Sequence, residues 1–217
     1  MQIPKFSEAN HPLVKSLSRY SDSELLTLFQ RYPEQGKYFT GIFCRYHALV
    51  YTLISHSARS PVQADYLFAL TWRHIYYEMG GLELRTQGAT EANSFQNWLI
   101  NITAICINET ELPPVEAINY NLQASPPPLW CYLEQALDLL SPLHRLIVVM
   151  AQTFRWSETR ISAYLQAEKE TLSPAKVRAE LQSAYAILAT ELPQDIREIY
   201  LGEVEAKASE ELDPVLV

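Results

Sequence analysis

The sequence predicts an all-α protein: two helical domains joined by a proline-rich linker, the second carrying a helix-turn-helix. Three observations predict it. Apolar residues recur at helical spacing along most of the chain, and no alternating strand pattern of useful length occurs. Glycine is scarce, 6 residues against 13 prolines in 217, which disfavours glycine-rich nucleotide folds and turn-rich β architectures. The prolines are also placed: Pro61, Pro142 and Pro174 each follow a serine, and five more lie between residues 113 and 128.

Each element follows from local signals. Ser21 to Glu24 has capping-box spacing, with Leu25, Leu28 and Phe29 behind it on one face. Tyr38 to Ser57 carries a broad apolar stripe through Phe39, Ile42, Phe43, Tyr46, Val50, Leu53 and Ile54. Ser60-Pro61 reads as a cap and first helical position, opening a helix that Gly80-Gly81 stops near Met79. After a polar loop around 85–93, a helix is expected from about Ser94 to Asn108, with Phe95, Trp98, Leu99, Ile102, Ile105 and Cys106 inward. Pro113-Pro114 and Pro126-Pro127-Pro128 then bracket a segment without period, the pattern of a stiff extended linker. Beyond it, helices are expected over Leu129–Leu140, from Pro142 to about Phe154, over Glu158–Leu165 behind the cap Ser157, and from Pro174 to about Thr190. The expected division is 1–109, a linker 110–128, a helix-turn-helix domain 129–192 and an acidic tail 193–217.

Composition excludes several classes. No run nears the ~18–20 apolar residues of a membrane span, so no membrane partner is expected. The N-terminus lacks the basic-then-apolar layout of a secretory signal, which points to the cytoplasm. Cys44, Cys106 and Cys131 are odd in number and widely spaced, as reduced structural thiols would be. The five histidines show no metal-ligand spacing, and no phosphate loop or nucleophile motif occurs. Cys44 and His47 stand three apart on one helix, where a packed structural pair explains them better than catalysis. No metal, cofactor or catalytic residue is therefore expected, and the chain reads as a non-enzyme.

Charge is unevenly distributed. The total is −8, yet 1–85 and 145–185 each carry +2, whereas 86–144 and 186–217 each carry −6. Between Thr86 and His144 no lysine or arginine occurs, against six acids. A helix-turn-helix reads the major groove with an exposed polar face. In Pro174 to Leu188, Val177, Leu181, Ala184 and Leu188 fall on one side, with Lys176, Ala179, Glu180 and Ser183 on the other. Any amphipathic helix of a small bundle shares that pattern.

A resemblance adds to this reading. Phe29-x-x-Tyr32, Phe43-x-Arg45-Tyr46-x-x-x-Val50-Tyr51, Ala64-Asp65-x-Leu67, Thr71-Trp72 and Phe95-x-x-Trp98-Leu99-x-x-Ile102 resemble the first domain of a bacterial RNA polymerase sigma factor. The type is the compact extracytoplasmic-function (ECF) class. Leu137-x-x-Leu140-Ser141-Pro142-x-His144-Arg145, Trp156-Ser157-x-x-x-Ile161-x-x-Tyr164-Leu165 and Val177-x-x-x-Leu181 resemble its second, helix-turn-helix domain. The resemblance spans Ser21 to Leu188 in order.

It implies transcription initiation, with RNA polymerase core and promoter DNA as partners and room for an anti-sigma protein. The first domain would dock on polymerase through the helix around Asp65 and Tyr66, and capture an unpaired promoter base. The second would read the upstream promoter element through Arg160, Lys169, Lys176 and Arg178. Glu109, Glu111 and Glu116 would suit a linker near the RNA path, or equally a solvated tether.

The chain departs from the family at three places. Tyr66, Ala69 and Leu70 replace polar residues on the docking helix. Asn101, Ile105, Asn108 and Glu109 stand where the promoter-melting helix carries bases. Glu180, Ser183 and Tyr185 stand where the recognition helix tends to be basic. The alternative is a sigma-derived adaptor or antagonist that binds polymerase or another protein without melting promoters.

Overall fold

The computed structural model describes residues 2–83, 94–168 and 170–202. Among these there are ten α-helices and no strand, so the all-α expectation holds. The chain forms two compact units. One holds the described residues through Cys131 and again from Pro193; the other is Tyr132–Leu192.

The first unit is organised around one long helix. α1 (Pro12–Lys15) and α2 (Asp22–Arg31) precede α3 (Gly36–Ser57), and α4 (Pro61–Met79) and α5 (Phe95–Glu109) follow it. α1, α2, α4 and α5 all pack on α3. The caps are those the sequence announces. Ser21 and Glu24 complete a reciprocal capping box on α2, and the Ser60 hydroxyl accepts from the Gln63 amide at 3.1 Å ahead of Pro61. Each such cap satisfies a donor that a helix start leaves unpaired, stabilising it by about 1 kcal/mol. Arg45 and Tyr46 of α3 both donate to the Asp22 carboxylate, tying α3 to the first turn of α2.

Aromatic rings fill the core between α3 and α4. Trp72 is fully buried, with ring centroids of Phe39, Phe43 and Phe68 at 5.9, 5.0 and 6.3 Å, all near edge-on. That geometry sets positive ring edges against negative faces and adds about 0.5–1.5 kcal/mol per pair to the area buried. The Trp72 Nε1 has no hydrogen-bond partner among the described residues, so within them Trp72 contributes bulk and ring contacts alone. Phe6 enters the cluster from the N-terminal segment, 4.8 Å from Phe43. Gly41 lets the turn Ser16–Arg19 approach α3 closely, since a Cβ there would stand 2.9 Å from Leu17 Cδ1.

Two segments differ from expectation. The segment 110–128, read as an extended linker, packs within the first unit. Leu122 is buried there, Tyr120 lies 5.3 Å from Trp130 and 6.1 Å from Tyr66, and Pro126, Pro127 and Pro128 are buried. Prolines stiffen a chain whether it crosses solvent or lies on a core, so composition alone did not separate the two. The segment from 193, read as an acidic tail, begins with a helix, α10 (Gln194–Tyr200), packed on α3. Its acids mask an apolar pair, Ile196 and Ile199, both buried.

The division between the units falls within α6 (Pro127–Leu139). The second unit continues with α7 (Pro142–Gln152), α8 (Glu158–Ala167) and α9 (Pro174–Glu191). Ser141, Ser157 and Ser173 each cap the helix that follows, accepting from the amide three residues on at 3.3 Å. Ile147, Val148, Met150, Ile161, Leu165, Val177, Leu181, Ala184 and Leu188 form the shared core of α7, α8 and α9.

Two outcomes follow for stability. Trp72→Ala should lower unfolding free energy by about 3–5 kcal/mol in urea titrations, with Trp72→Phe costing distinctly less because no indole hydrogen bond is lost. Glu8 is buried, and burial raises its pKa above the ordinary carboxylate range, against the opposing bonds from its own backbone and Tyr200. The native state therefore holds that proton more tightly than the unfolded chain. The resulting stabilisation is complete at acid pH and is lost as pH rises through the native Glu8 pKa. Melting temperatures of Glu8→Gln minus wild type should become more positive as pH rises from about 4 to 8; a flat difference contradicts the assignment.

Candidate nucleic-acid interface

In the second unit, α8 and α9 pack against each other and are joined by residues 168–173. α9 buries Val177, Leu181, Ala184 and Leu188, and leaves Lys176, Ala179 and Ser183 exposed. Its first turn has Ser173 as cap and Pro174 at the first helical position. A helix start presents unpaired N–H groups and a positive partial charge, both favourable for a phosphate.

The expected site residues are placed as follows. Lys176 projects from the exposed side of that first turn. Arg178, two residues on, donates to the Glu158 carboxylate of α8 at 3.2 Å. The Glu158 backbone N–H, with Arg178 beside it, holds the Glu158 carboxyl below its ordinary range. Arg160 lies on α8 with its guanidinium 4.4 Å from the Trp156 ring centroid. Lys169 lies outside the described residues. α8–α9 packing thus brings Arg160 and Arg178 onto one helix pair with Lys176, although Arg178 already has an acidic partner there.

Other residues of the polar side of α9 are held by α7. The Glu180 carboxylate meets His144 Nε2 of α7 at 2.8 Å. Tyr185 accepts a hydrogen bond from Gln152. These two contacts tie α9 to α7 and hold the Glu180 and Tyr185 side chains against it.

The connection between α7 and α8 carries a feature that the periodicity did not single out. Phe154 and Tyr164 are 58% and 42% exposed, and both rings lie beside Trp156, at 5.7 and 5.6 Å. Arg155 stands between Phe154 and Trp156 with φ of 54°, a left-handed conformation that a side chain adopts at a cost of about 1–2 kcal/mol. The neighbouring amides are committed, Phe154 to the Val149 carbonyl and Trp156 to the Met150 carbonyl, so the backbone there has little room to relax. Phe154-Arg155-Trp156 has no glycine or asparagine to signal such a turn.

In the first unit, Asp65 is half-buried and accepts from the Tyr51 hydroxyl at 2.9 Å. Burial pushes the Asp65 carboxyl above its ordinary range despite that bond. Tyr66 is half-buried beside Tyr120. Both expected polymerase-facing residues are thus engaged within the unit. On α5, Phe95 stacks on Trp98 at 5.5 Å, and Asn101, Ala104, Ile105, Asn108 and Glu109 form an exposed face that holds no cation. Glu111 and Glu116 are exposed beyond it.

Cys44 and His47 do not form a reactive pair. The His47 Nδ1 meets the Cys44 carbonyl oxygen at 3.1 Å, and burial pushes the Cys44 thiol far above its ordinary range. Among the described residues, no three His, Cys, Asp or Glu side chains converge as a metal site would require, and no helix is long and apolar enough to cross a membrane. Compared with protein-family models, with curated proteins and with solved structures, the chain matches none of them.

The strained turn makes a direct prediction. Arg155→Gly removes the left-handed cost and adds only the smaller entropic cost of glycine, so the second unit should gain about 0.5–1 kcal/mol. Urea unfolding checks it; a loss of stability would mean that the Arg155 side chain makes a stabilising contact outweighing its backbone strain.

Proposed function

We propose that the chain is a sigma-like transcription initiation protein of the ECF type. It acts in the cytoplasm, binds RNA polymerase core through the first unit and reads promoter DNA with the α8–α9 pair as a helix-turn-helix. The observation that carries this reading is the exposed Lys176–Arg178 end of α9, capped by Ser173 and flanked by Arg160. It coincides with the ordered sequence resemblance from Ser21 to Leu188. Lys176 and Arg160 would meet phosphates directly. Arg178 would exchange the Glu158 carboxylate for phosphate or a base edge, an exchange costing little because exposed ion pairs contribute only about 0.2–1 kcal/mol. The uncharged residues Ala179 and Ser183 follow along the same face, where base edges would lie.

A second reading is favoured by a specific observation: the cation-free face of α5. DNA affinity depends heavily on phosphate neutralisation, and α5 with its flanking acids cannot supply it. On this reading the chain is a sigma-derived adaptor or antagonist that holds polymerase without melting promoters. Phe95 and Trp98 then serve the core, where their stacking is already satisfied.

The two readings separate on DNA. With a duplex selected from a random library by the wild-type chain and polymerase core, Lys176→Glu combined with Arg178→Glu should abolish enrichment. The slope of log affinity against log salt should also become shallower by about two, one for each lost phosphate contact. Enrichment unaffected by the double reversal overturns DNA reading by α9. Selection of duplex without transcripts from it would favour the adaptor.

A further inference from the structure

The second unit is joined to the first at both of its ends, because the chain leaves the first unit at Cys131 and rejoins it at Pro193. α10 is the segment that makes the second joint. It has seven residues, too few to be helical in water without help, so its order depends on what it docks against.

That docking rests on a small set of contacts at two ends. α3 begins without a side-chain cap of its own, since Gln35 supplies none. Asp195 caps it instead: its carboxylate accepts from the Gly36 and Lys37 amides, 159 and 158 residues away in sequence, at 3.1 and 2.9 Å. At the other end of α10 the Tyr200 hydroxyl donates to Glu8 at 3.1 Å. Between them Ile196 and Ile199 are buried. Against these gains stand two costs of burial at the docked helix. Glu8, bonded to Tyr200, is kept from water, and the Arg197 Nε is buried without a hydrogen-bond partner among the described residues.

We propose that α10 is a releasable latch. Docked across the start of α3, it holds the second unit by two tethers; undocked, it leaves that unit on the single tether through α6. The rings of Phe39, Phe43, Phe68 and Trp72 contact one another within α3 and α4, contacts that do not pass through α10. Opening the latch therefore leaves the first unit folded. Release exposes the N-terminal amides of α3 and solvates Glu8, so the undocked state regains part of what it loses. The occupant able to hold α10 off must offer matching chemistry: a carboxylate for the Gly36 and Lys37 amides, followed on one helix face by two aliphatic side chains. The latch is independent of what the second unit binds.

Hydrogen exchange on the full chain, with small-angle scattering on the same samples, tests it. In the wild type, the Gly36, Lys37 and α10 amides should exchange together and well ahead of the α3 amides around Phe43. Asp195→Ala with Tyr200→Phe should speed exchange at Gly36, Lys37 and α10 at least about tenfold, equivalent to about 1.4 kcal/mol, and enlarge the scattering radius. Protection around Phe43 and Trp72 should not change. Ile196→Asp, which attacks the apolar centre, should give the same signature. Loss of core protection together with α10 overturns the proposal, because α10 would then be an integral part of the first unit. Exchange and radius unchanged by both variants overturn it as well.

Discussion

The packing of α4 against α3 through Trp72 is the constraint on which the first unit depends. An indole packed against three phenylalanine rings, its N–H without a hydrogen-bond partner among the described residues, allows little freedom in how the two helices face each other. Everything else in the unit is referred to that pair. α2 is tied to α3 through Asp22, Arg45 and Tyr46, α5 packs on both long helices, and the 110–128 segment reaches α4 through Tyr66 and Tyr120. The residues that carry the family resemblance, Phe43, Arg45, Tyr46, Trp72, Phe95 and Leu99, are largely this framework. They hold the shape on which a partner surface could be displayed, and they are not that surface.

This distinction explains which features were legible. Helix starts are local: Ser21 with Glu24, and the three Ser-Pro pairs, satisfy backbone donors within three residues, so the helices begin where those signals stand. Core faces repeat within one helix and were equally readable. What could not be read is pairing across the chain. The Asp195 cap of α3 joins residues 158 apart and the Glu158–Arg178 pair joins residues 20 apart; neither leaves a periodic trace. A charge count of the C-terminal segment registered its acids and missed the two isoleucines that dock α10. The prolines of 110–128 signalled stiffness correctly, but whether a stiff segment spans solvent or lies on a core is decided by the partner surface.

The same limit applies to the candidate interface. Net charge located a mildly basic stretch and an acid-only stretch, and both distinctions persist at the level of helix faces: cations on α8 and α9, none on the exposed side of α5. Composition could not show that Arg178 is shared with Glu158, that Glu180 meets His144, or that Arg160 rests on Trp156. These contacts divide the polar side of α9 into residues already engaged within the unit and a smaller set, near Lys176, exposed to solvent. The strained Arg155 turn and its exposed aromatic neighbours stand just ahead of α8, where Arg160 rests on Trp156.

The central functional claim is that this framework serves RNA polymerase. It is tested most directly by mixing the purified full chain with polymerase core, without DNA, and following the complex by size-exclusion chromatography with light scattering. The account predicts a one-to-one complex that survives moderate salt, and it predicts this for both the initiating and the adaptor readings. Separate elution of chain and core at micromolar concentrations would contradict it, and the sigma-like reading of the chain would fall with it.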